Sequence, residues 1–147
     1  MKSLLTEEGH KEITTRLSKL TENSKGNWGK MTVGQMSWHC QYPLKLAIKN
    51  KENSSKGNWL IKTFFKKSLY NDKPYRKNLP TAPQLKAKEP KDFSNESAIL
   101  KNLIDEFSAL KNRNKWYPHP MFGEFTKEQW GQLEYKHLDH HLKQFGV

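Results

Sequence analysis

One cysteine, Cys40, is all that 147 residues contain. No internal disulfide can form, so the fold must rest on noncovalent packing, and a reducing, cytoplasmic home is the expectation. Arginine is nearly as scarce, with Arg16, Arg76 and Arg113 making up the whole set. Lysine therefore supplies most of the formal net charge of +11, and it is spread along the chain. Proteins that read bases lean on the bidentate arginine fork. A solvated lysine surface is the better reading, and nucleic acid is not expected as the main partner. Long apolar runs are missing too. Nothing approaches the roughly 18 apolar residues that mark a membrane span, so no membrane is expected among the partners. Met1–Thr6 holds no apolar stretch of signal-peptide length before Glu7 and Glu8. Hydrophobic residues make up only 34% of the chain, with a mean hydropathy of -0.97. Five Trp and seven Phe offset this in part, because each ring buries a large area. The length fits a single domain, residues 1–147, built around one core.

Helical periodicity fills most of what remains. Ile13, Leu17 and Leu20 recur at helical spacing and predict a first helix over about residues 6–21, with Glu7 and Glu8 in the turn where the helix dipole favours anions. Asn23–Asn27 breaks it. A second helix over about 32–49 opens on a capping box, Thr32 with Gln35, and carries the stripe Val33, Met36, Cys40, Leu44 and Ala47. Pro43 predicts a kink or break one turn after His39. A link over about 50–93 follows, with a short helix near 59–70 and then Pro74, Pro80, Pro83 and Pro90, which exclude any regular helix. The period resumes over about 94–113, with Ile99, Leu103, Phe107 and Leu110 on one side and Ser94 or Asn95 as N-cap. Trp116–Gly123 reads as a compact aromatic loop. The last helix covers about 126–145, with a second capping box, Thr126 with Gln129. The expected class is all-α: a four-helix bundle with a long crossover link between helices 2 and 3. The pentapeptide Ser-Lys-Gly-Asn-Trp at Ser24–Trp28 returns at Ser55–Trp59. Both copies read as turns leading into a helix.

Three of the six histidines fall within Lys136–His141. His137 and His141 lie roughly 40° apart and one turn along the same helix face. Bundle metal sites are built in this way, from side chains of facing helices that point inward. Two imidazoles leave a divalent ion under-coordinated, and His39, beside the inward stripe of the second helix, is the candidate third ligand. Three nitrogen ligands with the other positions left to water describe an open, catalytic type of site. Imidazole suits zinc, nickel, copper or iron. The plainer alternative is that a histidine on an apolar face is a core residue with an ordinary hydrogen bond, and that a His-x-x-x-His pair arises by accident. His140 can substitute for either partner, although a flanking role fits it better. His119 reads as a residue of the site's mouth, His10 and Asp139 as solvated, and Cys40 as core. Glu134, one turn before His137, is placed to orient an imidazole. Trp38, Trp116, Tyr117, Met121 and Phe122 are the expected pocket residues. None of these is a clear general base.

These same residues carry a family resemblance. Trp28–His39 resembles the entry to the second helix of the DinB/YfiT-like metalloprotein superfamily, and His137–Gly146 resembles its last-helix signature. His119–Gly123 is similar to a small bacterial branch of uncharacterised function. The resemblance covers most of the chain and is weakest through the central link. It implies an up-down-down-up bundle with a nickel- or zinc-type ion on one histidine of helix 2 and two of the last helix, here His39, His137 and His141. It also implies a homodimer. The activities it implies are transfer of a low-molecular-weight thiol or hydrolysis of a small molecule. The basic, proline-rich stretch Lys73–Pro90 departs from that pattern and is expected to reshape the substrate mouth. The expected function is a metal-dependent enzyme. A non-catalytic, metal-stabilised bundle is the alternative, and a basic nucleic-acid binder is the least favoured.

Overall fold

The computed structural model describes residues 1–49, 51, 65–81 and 83–147. Four α-helices organise them: α1 (Glu7–Leu17), α2 (Val33–Lys49), α3 (Phe93–Ala109) and α4 (Lys127–Gln144). Among the described residues there is no β-strand, only an isolated bridge between His119 and Gly123. The helices form a bundle in which α2 packs most extensively on α3, while α1 touches α3 and α4 and α2 also meets α4. Among the described residues no helix is long and apolar enough to cross a membrane.

Both expected capping boxes form. Thr32 and Gln35 exchange side-chain and backbone hydrogen bonds at 3.1 and 3.2 Å, and Thr126 and Gln129 do the same at 3.0 and 3.2 Å. Each box satisfies two backbone N–H groups that the helix leaves without partners. Thr126→Ala is expected to cost about 0.5–2 kcal/mol, read as a lower urea midpoint with an unchanged m value.

The helix ends differ from the periodicity in instructive ways. Asp92, not Ser94 or Asn95, caps α3, its carboxylate accepting from the Asn95 N–H at 2.7 Å. The buried face of α3 is Leu100, Ile104 and Phe107, and the expected Ile99, Leu103 and Leu110 flank it half-buried. α1 stops at Leu17, where the Lys19 and Leu20 N–H groups bond to carbonyls three residues back and tighten the last turn. α3 likewise ends at Ala109, and Leu110–Asn112 continues as a 3-10 turn. α2 runs through Pro43 without a break, although proline has no N–H to offer the His39 carbonyl four residues earlier. The short helix expected near 59–70 lies mostly outside the described residues, and its described end is a 3-10 turn, Lys66–Leu69. The second Ser-Lys-Gly-Asn-Trp copy lies wholly outside them.

The core runs the length of the bundle through Ile13, Met36, Leu44, Leu100, Ile104, Phe107, Trp130, Leu138 and Leu142, each at most 2% exposed. Leu4 joins it from outside the helices, its N–H bonded to the Gly131 carbonyl at 2.9 Å. Gly34 lets the link cross the start of α2 closely, since a Cβ there would lie 2.1 Å from the Lys91 carbonyl oxygen.

Candidate metal centre

The first turns of α2 and the last turns of α4 meet at His39, His137 and His141. One ring nitrogen from each lies within 4.8 Å of the others. The ring centroids are 5.1 Å apart for His39 and His137, and 4.8 Å for each of the other two pairs. The Nε2 atoms of His39 and His137 stand 3.2 Å apart. Nitrogens held 2.0–2.1 Å from a tetrahedral zinc stand about 3.3–3.4 Å apart. That pair already has the span of a coordination edge, and the widest pair needs to close by little more than an ångström.

For two of the rings, the partner on the other face shows which nitrogen is free. His39 Nδ1 lies 3.0 Å from the Leu85 carbonyl, which can only accept, so the ring donates from Nδ1 and leaves the Nε2 lone pair exposed to its neighbours. His141 Nδ1 lies 2.8 Å from Gln144 Oε1. The Gln144 amide is oriented in turn by its own Nε2, which donates to the Trp28 carbonyl at 2.7 Å. His141 therefore also donates from Nδ1 and offers Nε2. Metal-bound imidazoles are held in this way, with the non-ligating N–H on an oxygen acceptor. Gly29 is needed for this arrangement: its φ is +81°, and a Cβ there would stand 2.5 Å from Gln144 Nε2.

Burial fixes the charge state. It lowers the pKa of all three rings, well below the ordinary value for His137 and to about 3 for His141. His39 also disfavours charge on both others, and His141 disfavours it on His137. Neutral imidazoles with converging lone pairs are the form that binds a cation. The donor set, the spacing and the tautomers of His39 and His141 fit one divalent ion.

Around the three rings the link supplies walls, and part of them comes from the Lys73–Pro90 stretch expected at the mouth of the site. Leu85 brings its carbonyl to His39 while Glu89 accepts from Gln35 Nε2 at 3.2 Å, so this stretch is laid along α2. On the α4 side Lys136 is nearly buried, and its ammonium donates to the Ser68 carbonyl and to both Asn71 oxygens at 2.5–3.0 Å. That clamp holds Tyr75 against Lys136 and His140, with the two rings 5.6 Å apart. Trp28 meets the His140 ring at 5.8 Å. His140 thus flanks the group, 5.1 Å from His141 ring to ring, and is not one of the three that converge.

Other expected site residues are placed elsewhere. His119 sits two turns up α4 in an aromatic cluster with Phe122, Phe125 and Trp130. Its Nδ1 accepts the Met121 and Phe122 N–H groups, so it shapes its own loop. Trp116 stacks on Trp130, Met121 is exposed, and Trp38 lies under Lys91. His10 is not simply solvated, for it joins α1 to α3 through Asp105 at 2.7 Å. Asp139 is paired with Arg16 and Lys143 on the side away from the rings. Cys40 is core, with its thiol donating to Met36 Sδ at 3.7 Å and its pKa pushed up by burial. Glu134 is fully buried, and desolvation raises its carboxyl to about 8.

No curated protein and no solved structure matches this chain. A family model does, from residue 2 to residue 146, taking in all three histidines and the loops that hold them. The chain belongs to the DUF1569 family, whose members are proteins of unknown function.

Proposed function

We propose that this protein is a metalloprotein that holds one divalent ion, zinc or nickel, on the Nε2 atoms of His39, His137 and His141, and that it acts on a small molecule there. The observation that carries this reading is the convergence of three neutral imidazoles, two of them held by acceptors at Nδ1. Three protein nitrogens leave coordination positions open. A divalent ion so held supplies a Lewis acid and brings an oxygen or sulfur nucleophile into its reactive form near neutral pH. The chain's own part is to fix the rings, pack Tyr75 and Trp28 around the flanking His140, and keep the imidazoles unprotonated.

The resemblance to the DinB/YfiT superfamily supports the same ligand set. It extends the proposal to an up-down-down-up helix course, a homodimer, and transfer of a low-molecular-weight thiol or hydrolysis as the reaction. A non-catalytic, metal-stabilised bundle is the second reading, favoured by the burial of His39 and His141. Cobalt separates the two. Apo protein titrated with Co²⁺ is expected to saturate at about one ion per chain and to change its visible spectrum when a small thiol is added. Saturation with a spectrum blind to thiols, azide and imidazole would leave the structural reading standing and end the catalytic one.

A further inference from the structure

Among the described residues, the buried side-chain nitrogen and oxygen atoms without a hydrogen-bond partner are Trp130 Nε1, both carboxyl oxygens of Glu134 and His137 Nδ1. All belong to one helix. Residues 130, 134 and 137 follow one another at four- and three-residue steps, so they share the inward face of α4. The set is also complementary. Indole Nε1 is a donor only and a carboxylate is an acceptor only, while His137 Nδ1 becomes a donor once its Nε2 lone pair is used. Two donors and two acceptors without partners, one turn apart on a single face, are complementary to one another, and no hydrogen bond joins them in this structure.

Neighbouring donors are already committed. Cys40 and Tyr75 are near enough to sense the Glu134 charge, yet the thiol donates to Met36 Sδ and the phenol to the Leu69 carbonyl at 3.2 Å. The other two imidazoles have their acceptors in Leu85 and Gln144, and His137 alone lacks one. Charge leads to the same residue. Three neutral ligands bring in a divalent ion without neutralising it, and a buried ion needs a counter-charge. Glu134 is the fully buried acid among the described residues, whereas Asp139 is engaged by Arg16 and Lys143.

We propose that Glu134 is a positioning residue of the metal centre: one carboxylate oxygen accepts from His137 Nδ1–H, the other accepts from Trp130 Nε1–H, and its charge offsets that of the ion at His137 Nε2. This rests on the metal-binding reading above. The ring is thereby fixed in the same tautomer as its two partners, and a carboxylate that is costly in the apo protein becomes favourable in the loaded one.

Zinc affinity by chelator competition, with wild type and E134Q, is the test. E134Q is expected to bind zinc about 10- to 100-fold more weakly, as loss of an outer-shell carboxylate does, while the melting temperature of its apo form is not lowered. A residue that merely held the fold would lower both. In ¹H–¹⁵N spectra of the zinc-loaded wild type the His137 Nδ1–H proton is expected far downfield and protected from exchange with water, as a proton held on a buried carboxylate is, and this measurement decides alone if E134Q does not fold. Equal zinc affinity in the two proteins, or a His137 Nδ1–H that exchanges freely with water, overturns the proposal while leaving the metal centre in place. A wild type that binds no zinc overturns the metal centre itself.

Discussion

His137→Ala is expected to leave the purified protein almost free of metal, where the wild type carries close to one divalent ion per chain. A structural zinc gains roughly 10–16 kcal/mol from its ligands together. If that is shared among about four positions, each ligand is worth about 3–4 kcal/mol, or a hundred- to a thousandfold in affinity. His137 is one of the pair already at the span of a coordination edge, its Nε2 3.2 Å from that of His39. Elemental analysis and chelator competition would measure this. His140→Ala and His119→Ala serve as controls, since one ring flanks the group and the other lies in the loop cluster; both are expected to keep the ion. Stoichiometric metal in His137→Ala would remove the centre as described.

The second large effect is on pH dependence, and the metal-free protein should be most stable near pH 6.5. Burial lowers the pKa of His39 and His137, and takes His119 to about 4 and His141 to about 3. Below the ordinary value of 6.5, the unfolded chain takes up protons that the folded one refuses. Stability therefore falls as pH drops, by about 1.4 kcal/mol per pH unit for each ring still neutral in the native state. Glu134 acts with the opposite sign. Its folded pKa of about 8 lies above the ordinary 4.5, so its contribution is complete below 4.5 and is lost as pH rises through 8. Between 4.5 and 6.5 the histidines outnumber it, and from 6.5 to 8 it governs the slope alone. Melting temperatures in a chelating buffer, from about pH 5 to about pH 8.5, give the profile. A steady rise across that range would show that Glu134 is not held in its buried, protonated state. Bound metal adds a further loss in acid, because protons compete for the same nitrogens.

Some of this centre was legible from local pattern. The His137/His141 pair follows from helical geometry, which sets residues four apart on one face whatever the rest of the chain does. Thr32 with Gln35 and Thr126 with Gln129 were equally local, since a capping box closes within four residues. The apolar stripe of α2 held at Val33, Met36, Cys40, Leu44 and Ala47, all buried. On α3 the pattern misled. Ile99-Leu100 and Leu103-Ile104 each offer two adjacent apolar residues, so periodicity allows two stripes, and packing against α2 chose Leu100 and Ile104. The aromatic loop was expected beside the rings because it is close to α4 in sequence. It packs on Trp130 instead, seven residues before His137 and so roughly 10 Å along the helix axis.

By itself the sequence determined that there would be helices, where most of them begin, and that two imidazoles of the last one would face the same way. Those features depend on contacts within a turn or two of chain. Only the tertiary structure decided that His39 completes the group, that the Leu85 carbonyl and the Gln144 amide hold two rings by Nδ1, and that polar atoms of Glu134, Trp130 and His137 are buried without partners. Every residue has a backbone carbonyl, so nothing in the letters marks Leu85. Its role appears only when a proline-rich link is laid along α2 and one oxygen among many comes within hydrogen-bonding distance of a buried ring.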